Sequence, residues 1–191
     1  IQKAKDGVQC RLLLDHLGSW DLPSSFVERL RSSGVKVAWF MPVLPWRGPR
    51  WRLHFNFRNH RKIVVVDGQT AFTGSQNIAE EYFSPDTPSG PWIDTHLRLT
   101  GPAVYELQET FIEDWFYTTA EDIFEKHYFP SLEGGEGSRG QIVQIIPSGP
   151  DSDSGIMHHL LLAAISAADY SVVIATPYFV PDRAMILTLE A

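Results

Sequence analysis

Four consecutive β-branched residues, Ile63 to Val66, run straight into Asp67–Gly68 and then into a second short apolar run that closes on Gly74 and Ser75. Few stretches constrain a fold more. β-Branched side chains are stiff at χ1 and suit a pleated surface, and Asp-Gly readily takes the positive φ values of a tight hairpin turn. The segment "FRNHRKIVVVDGQTAFTGSQN", Phe57 to Asn77, therefore reads as a β-hairpin. A two-residue turn at Asp67–Gly68 sets His60 opposite Ser75; a turn at Gly68–Gln69 sets Lys62 opposite Ser75 and His60 opposite Asn77. In both registers the period-2 alternation puts His60, Lys62, Ser75 and Asn77 on one face and Arg61 on the other, unless a bulge intervenes.

That shared face carries an imidazole, an ammonium, two neutral hydrogen-bonding groups and no acid. Such a set suits a phosphodiester. Lys62 offsets the charge that grows on the nonbridging oxygens, and Ser75 and Asn77 donate to the same oxygens. His60 can attack phosphorus through Nε2 and carry the group covalently. A carboxylate on the other ring nitrogen is needed to hold the tautomer. An isolated H-x-K is ordinary polar surface. The longer pattern H-x-K-x4-D-x6-G-S-x-N is met in full by His60, Lys62, Asp67, Gly74, Ser75 and Asn77.

The flanking chain reads as α/β. "IQKAKDG" is the end of a helix closed by Gly7, "VQCRLLLD" a buried strand, Ser24 or Ser25 the cap of a short helix, and "VKVAWF" a second strand. Strand, helix, strand at this spacing predicts a parallel pair. A loop rich in Pro, Trp and Arg follows, "MPVLPWRGPRWRLHFNF". Its Trp46, Trp51, Arg47, Arg50 and Arg52 have the amphipathic character of side chains at a lipid–water interface, or they pack on the core. "WIDTHLRLTG" is a strand, and Val104, Leu107, Phe111 and Trp115 mark one face of a long helix. Past the connector "EGGEGSRG", the runs "QIVQIIPSG" and "YSVVIATPYFVPD" read as strands on either side of a helix. Both ends of the chain read as cut.

The formal net charge of −7 does not suggest nonspecific nucleic-acid binding. From Arg29 to Val66, however, there is no acid, and this segment holds nine of the sixteen Lys and Arg residues. A block so one-sided is either a solvated face or the footprint of an anionic partner. No apolar run approaches the roughly 18–20 residues of a membrane span.

The full motif identifies the chain as resembling the phospholipase D superfamily. "RNHRKIVVVDG", "TGSQNIAEEYF", "WIDTHLRLTGPAV" and "TPYFVPD" narrow the likeness to bacterial cardiolipin synthases, along essentially the whole chain. The resemblance implies a phospholipase D-like α/β/α sandwich with a mixed sheet. Residues 1–140 would form a first repeat lacking its start, and 141–191 the opening helix and strand of a second repeat. It implies a phosphatidyltransferase acting through phosphohistidine, with phosphatidylglycerol as donor, no metal and no cofactor. His60 and Lys62 are the implied catalytic pair, Ser75 and Asn77 bind phosphate, Asp67 belongs to the motif in a structural role, and Asp94 is the implied carboxylate partner of His60. Anionic phospholipid and a membrane surface are the implied partners, with no nucleic acid. The full-length protein is expected at the bacterial cytoplasmic membrane and this portion in soluble form. The family uses two H-x-K motifs and only one is present here; His158 and His159 lie in an apolar helical run and do not supply the second. A homodimer could pair two copies of the motif. A phosphodiesterase, a dimeric nuclease, and a non-catalytic portion that binds anionic lipid are the alternatives.

Overall fold

A computed structural model describes residues 1–42, 58–79, 82, 94–131, 140–149, 155–176 and 178–191. The Trp–Arg loop at residues 43–57 and most of the "EGGEGSRG" connector lie outside the described residues. The chain divides into two compact units, Ile1–Ile145 and Ile146–Ala191.

In the first unit, helix α1 (Gln2–Lys5) leads to strand β1 (Arg11–Asp15), helix α2 (Ser24–Ser32) and strand β2 (Lys36–Phe40). β1 and β2 pair in parallel, Arg11 opposite Lys36 and Asp15 opposite Phe40, as the strand–helix–strand spacing predicts. Pro23 occupies the N-cap position of α2 and Ser24 is its first residue, so the expected serine cap is absent. The second sheet is antiparallel: β3 (Ile63–Val66), β4 (Thr70–Gly74) and β5 (His96–Thr100), in that order. The fold is thus α/β with both parallel and antiparallel pairing, as expected.

The hairpin forms, in a register that differs from both expected ones. Ile63 pairs with Thr73 and Val66 with Thr70. The turn takes φ of 54° at Asp67 and 64° at Gly68, and the Gln69 amide donates to the Val66 carbonyl at 3.1 Å. The ladder then resumes one residue later, leaving Gln69 as an unpaired extra. One inserted residue reverses the parity. Continued past its last pair, the alternation sets Lys62 opposite Gly74 and no longer opposite Ser75, which follows the end of β4 and is exposed.

Helix α3 (Ala103–Thr119) lies under both sheets. Its first half buries Val104 and Leu107 with Ala71 against Ile63, Val65 and Leu99. Its second half buries Ile112 and Trp115 with Ile123 against Leu13 and Ala38. The helix ends at Ala120, whose φ of 57° lets its amide donate to the Phe116 carbonyl. The opposite face of the β3–β4–β5 sheet is open: Val64 and Val66 are each 46% exposed.

The second unit contains α4 (Ile156–Ser166) and α5 (Arg183–Glu190), neither with a buried residue. Asp182 caps α5 by accepting from the Met185 amide at 2.8 Å. The strands expected at 141–149 and 170–182 do not form among the described residues there. A strand is a pairing, and an apolar run without a hydrogen-bonded neighbour stays extended but unladdered. No helix among the described residues is long and apolar enough to cross a membrane.

Candidate active site

His60 sits three residues before the first residue of β3 and is exposed. The residues flanking it are anchored from behind. The Asn59 amide donates to Asp15 Oδ2 at the end of β1, at 3.1 Å. Asn59 Nδ2 donates to Asp114 Oδ2 on α3 at 2.7 Å, and Arg61 Nη1 to Asp114 Oδ1 at 2.6 Å. The Arg61 amide returns to Asn59 Oδ1 at 3.0 Å. One carboxylate therefore holds the residues on both sides of His60. Asn59 and Arg61 both turn toward Asp114, while His60 between them is exposed and Lys62 is half-buried. Lys62 folds back, its Nζ donating to the His60 carbonyl at 2.8 Å. This ties the Lys62 ammonium to the backbone of His60, and among the described residues no acid is hydrogen-bonded to either side chain.

The second half of the motif is built by Gly74. Its φ is +154°, and a Cβ there would collide with the Thr95 carbonyl and lie 2.7 Å from His96 Cα. Only glycine permits this close approach of β4 to the chain entering β5. Just beyond it, the Ser75 amide donates to the Thr95 carbonyl at 3.0 Å, and the Thr95 amide to Ser75 Oγ at 3.2 Å. The Ser75 hydroxyl donates to the Asp94 carboxylate. Asn77 Nδ2 donates to the Tyr82 hydroxyl at 3.0 Å. Asp67 lies exposed in the hairpin turn.

Hydrogen bonds thus join the motif residues in two groups, His60 with Lys62 and Ser75 with Asp94. No hydrogen bond among the described residues links the two groups, and Asp94 bonds to Ser75 where a bond to the His60 ring is expected. Loss of the expected parity accounts for part of this, since the ladder no longer sets Ser75 opposite His60 or Lys62. Among the described residues no group of three or more His, Cys, Asp or Glu side chains is placed to hold a metal ion.

Sequence reasoning missed Asn59, Asp15 and Asp114. The two acids lie far from the motif in the chain, and only the packing of β1 and α3 brings them to it. The same packing answers the acid-free basic block. Among its described cations, Arg31 pairs with Glu28, Lys36 with Glu121, Arg58 with Asp15 and Arg61 with Asp114. Three of these four cations are therefore matched by acids folded in from elsewhere, while Glu28 is Arg31's neighbour on α2.

A family model described as "Cardiolipin synthase, PLD-like domain" matches residues 1–115. Proteins named cardiolipin synthase from Geobacillus sp. and Alkalihalophilus pseudofirmus are 43% and 44% identical to the chain over all 191 residues. One named cardiolipin synthase 2, from Bacillus anthracis, is 43% identical over 190 residues. The chain covers 37% of the length of the first two and 36% of the third. No solved structure matches. The motif from His60 to Asn77 lies wholly within the matched region, and the chain belongs to the cardiolipin synthase family of phospholipase D-like domains.

Proposed function

We propose that the chain carries one half of the active site of a phosphatidyltransferase that makes cardiolipin from phosphatidylglycerol. The observation that carries this is the exposed His60, with the Lys62 ammonium held against the His60 carbonyl and no acid among the described residues hydrogen-bonded to either side chain. Covalent transfer at phosphorus needs that pairing of nucleophile and fixed cation.

His60, or its counterpart in a second repeat, attacks the phosphorus of phosphatidylglycerol through Nε2. The bond from phosphorus to the glycerol oxygen breaks, and the other histidine gives glycerol its proton. The hydroxyl of a second phosphatidylglycerol then attacks the phosphohistidine and passes its proton back, and the P–N bond breaks. Lys62, Ser75 and Asn77 serve the nonbridging oxygens. Asp94 holds the site through Ser75 and, in the assembled site, the ring nitrogen of His60. Asp67 shapes the turn. Residues 1–140 form most of a first repeat and 141–191 open a second. The protein works at the bacterial cytoplasmic membrane, and the cations of the Trp–Arg loop meet anionic headgroups there.

The test is turnover by the full-length protein with labelled phosphatidylglycerol, run beside a DNA substrate. Cardiolipin and glycerol in equal amounts are the expected products. Phosphatidic acid in place of cardiolipin makes it a phospholipase, DNA cleavage makes it a nuclease, and no turnover of either leaves only lipid binding.

A further inference from the structure

We propose that Asn59, clamped between Asp15 and Asp114, is the positioning residue that aims His60 at phosphorus. This rests on the transferase reading above. Two separate elements converge on the residues flanking the imidazole. β1 supplies Asp15, which accepts the Asn59 amide at 3.1 Å and is itself fixed by the Leu17 and Gly18 amides at 3.0 and 2.8 Å. α3 supplies Asp114, whose two oxygens take Asn59 Nδ2 at 2.7 Å and Arg61 Nη1 at 2.6 Å. Asn59 Oδ1 closes the ring by accepting the Arg61 amide at 3.0 Å.

Asparagine is the only side chain that fits all of these roles. It needs one donor for Asp114 and one acceptor for the Arg61 amide, on a short, planar group. Aspartate presents a second carboxylate to Asp114, and alanine leaves both partners unmatched. The Asp114 side chain is only 14% exposed, so water replaces a lost partner poorly. The clamp grips residues 59 and 61 and leaves residue 60 free to project from the other side. A nucleophile must stand within a narrow range of distance and angle from phosphorus, and a misplacement near 1 Å costs about 10²-fold in rate. Asn59 touches no substrate; it acts through the backbone of His60.

The experiment uses the full-length protein with Asn59→Ala and with the exchange Asn59→Asp plus Asp114→Asn, which reverses donor and acceptor in the 59–114 hydrogen bond and leaves an acceptor at each position for the two Arg61 donors. Asn59→Ala should lower kcat about 10²-fold, with KM within about twofold because headgroup contacts remain. The exchange should return kcat to within about tenfold of wild type. In parallel, the His60 ring resonances of the 191-residue chain, recorded well below each variant's own thermal midpoint, should shift or broaden in Asn59→Ala and return in the exchange. Wild-type kcat in Asn59→Ala, or an exchange as slow as Asn59→Ala, overturns the clamp. If the wild-type protein transfers no phosphatidyl group, the transferase reading fails, and the His60 resonances still decide for or against the clamp.

Discussion

His60 and Lys62 are cheap to recognise and demanding to place. Residue type and spacing mark them in the sequence, because an imidazole and an ammonium two apart on an extended chain share a side whatever the rest of the fold does. Their surroundings are not local: the acids that brace them, Asp15 and Asp114, come from β1 and α3. Replacing His60 with alanine in the full-length protein should abolish transfer, because each histidine of a two-histidine mechanism is required. Lys62→Ala should cost about 10²–10³-fold in turnover, the usual effect of removing one contact to a developing oxyanion. Purified, folded His60→Ala that still makes cardiolipin would exclude the covalent role. A different residue governs acid stability. Glu121 accepts from Arg11 at 2.8 Å, Lys36 at 2.6 Å and Trp115 at 3.0 Å. The Arg11 hydrogen bond above all, with those from Lys36 and Trp115, holds its carboxyl at about 2, below the ordinary 4.5, against the opposing effect of burial. A depressed folded-state value contributes stability that is complete above the unfolded value and fades as the pH falls toward the folded one. The thermal midpoint should therefore drop between about pH 4.5 and 2, and Glu121→Gln should be less stable at pH 7 with a flatter profile over that window. Identical acid limbs for the two proteins would assign the transition to other carboxylates.

At the scale of elements, what could be read from sequence was what is decided locally. The hairpin, the parallel β1–β2 pair, β5 and the face of α3 all form where apolar periodicity put them. Register was not legible. Asp67–Gly68 specifies the backbone of the turn but not whether Gln69 joins the ladder, and a single unpaired residue reverses every facing position beyond it. Nor does an apolar run carry its own partner, which is why residues 170–182 look like a strand and make no ladder among those described. Gly74 is the element on which the second half of the motif depends. A Cβ there meets the Thr95 carbonyl and His96 in a backbone conformation that disfavours side chains. Gly74→Ala should push β4 from the chain entering β5 and break the paired Ser75–Thr95 hydrogen bonds, at a cost of about 1–3 kcal/mol. Amide exchange at Ser75 and Thr95 should accelerate selectively while Val104 and Leu107 on α3 stay protected. Unchanged exchange at Ser75 would show that the approach tolerates a side chain.

At the scale of the whole molecule, the decisive quantity is the number of histidine–lysine pairs. The chain has seven histidines, of which only His60 is followed two residues later by lysine. The relatives it matches are more than twice its length, since it covers 37% of them. Transfer through a phosphohistidine needs a nucleophile and a separate acid for the leaving alcohol, and general acid–base help is worth roughly 10²–10⁴-fold. A second lysine facing the first would contribute a further charge on the nonbridging oxygens, and a second half-site would close over His60 and keep its electrostatics from being screened by water. The 191-residue chain taken alone should therefore form no measurable cardiolipin from phosphatidylglycerol. Two copies that set one His60 against another would restore both roles, so oligomeric state has to be read on the same sample as activity. Light scattering and product analysis across a dilution series separate the cases. Activity that falls with the square of concentration marks a shared site between copies. Clear turnover by a strictly monomeric chain would mean that an acid for the leaving group lies within these residues, and that His60 does not need a second histidine.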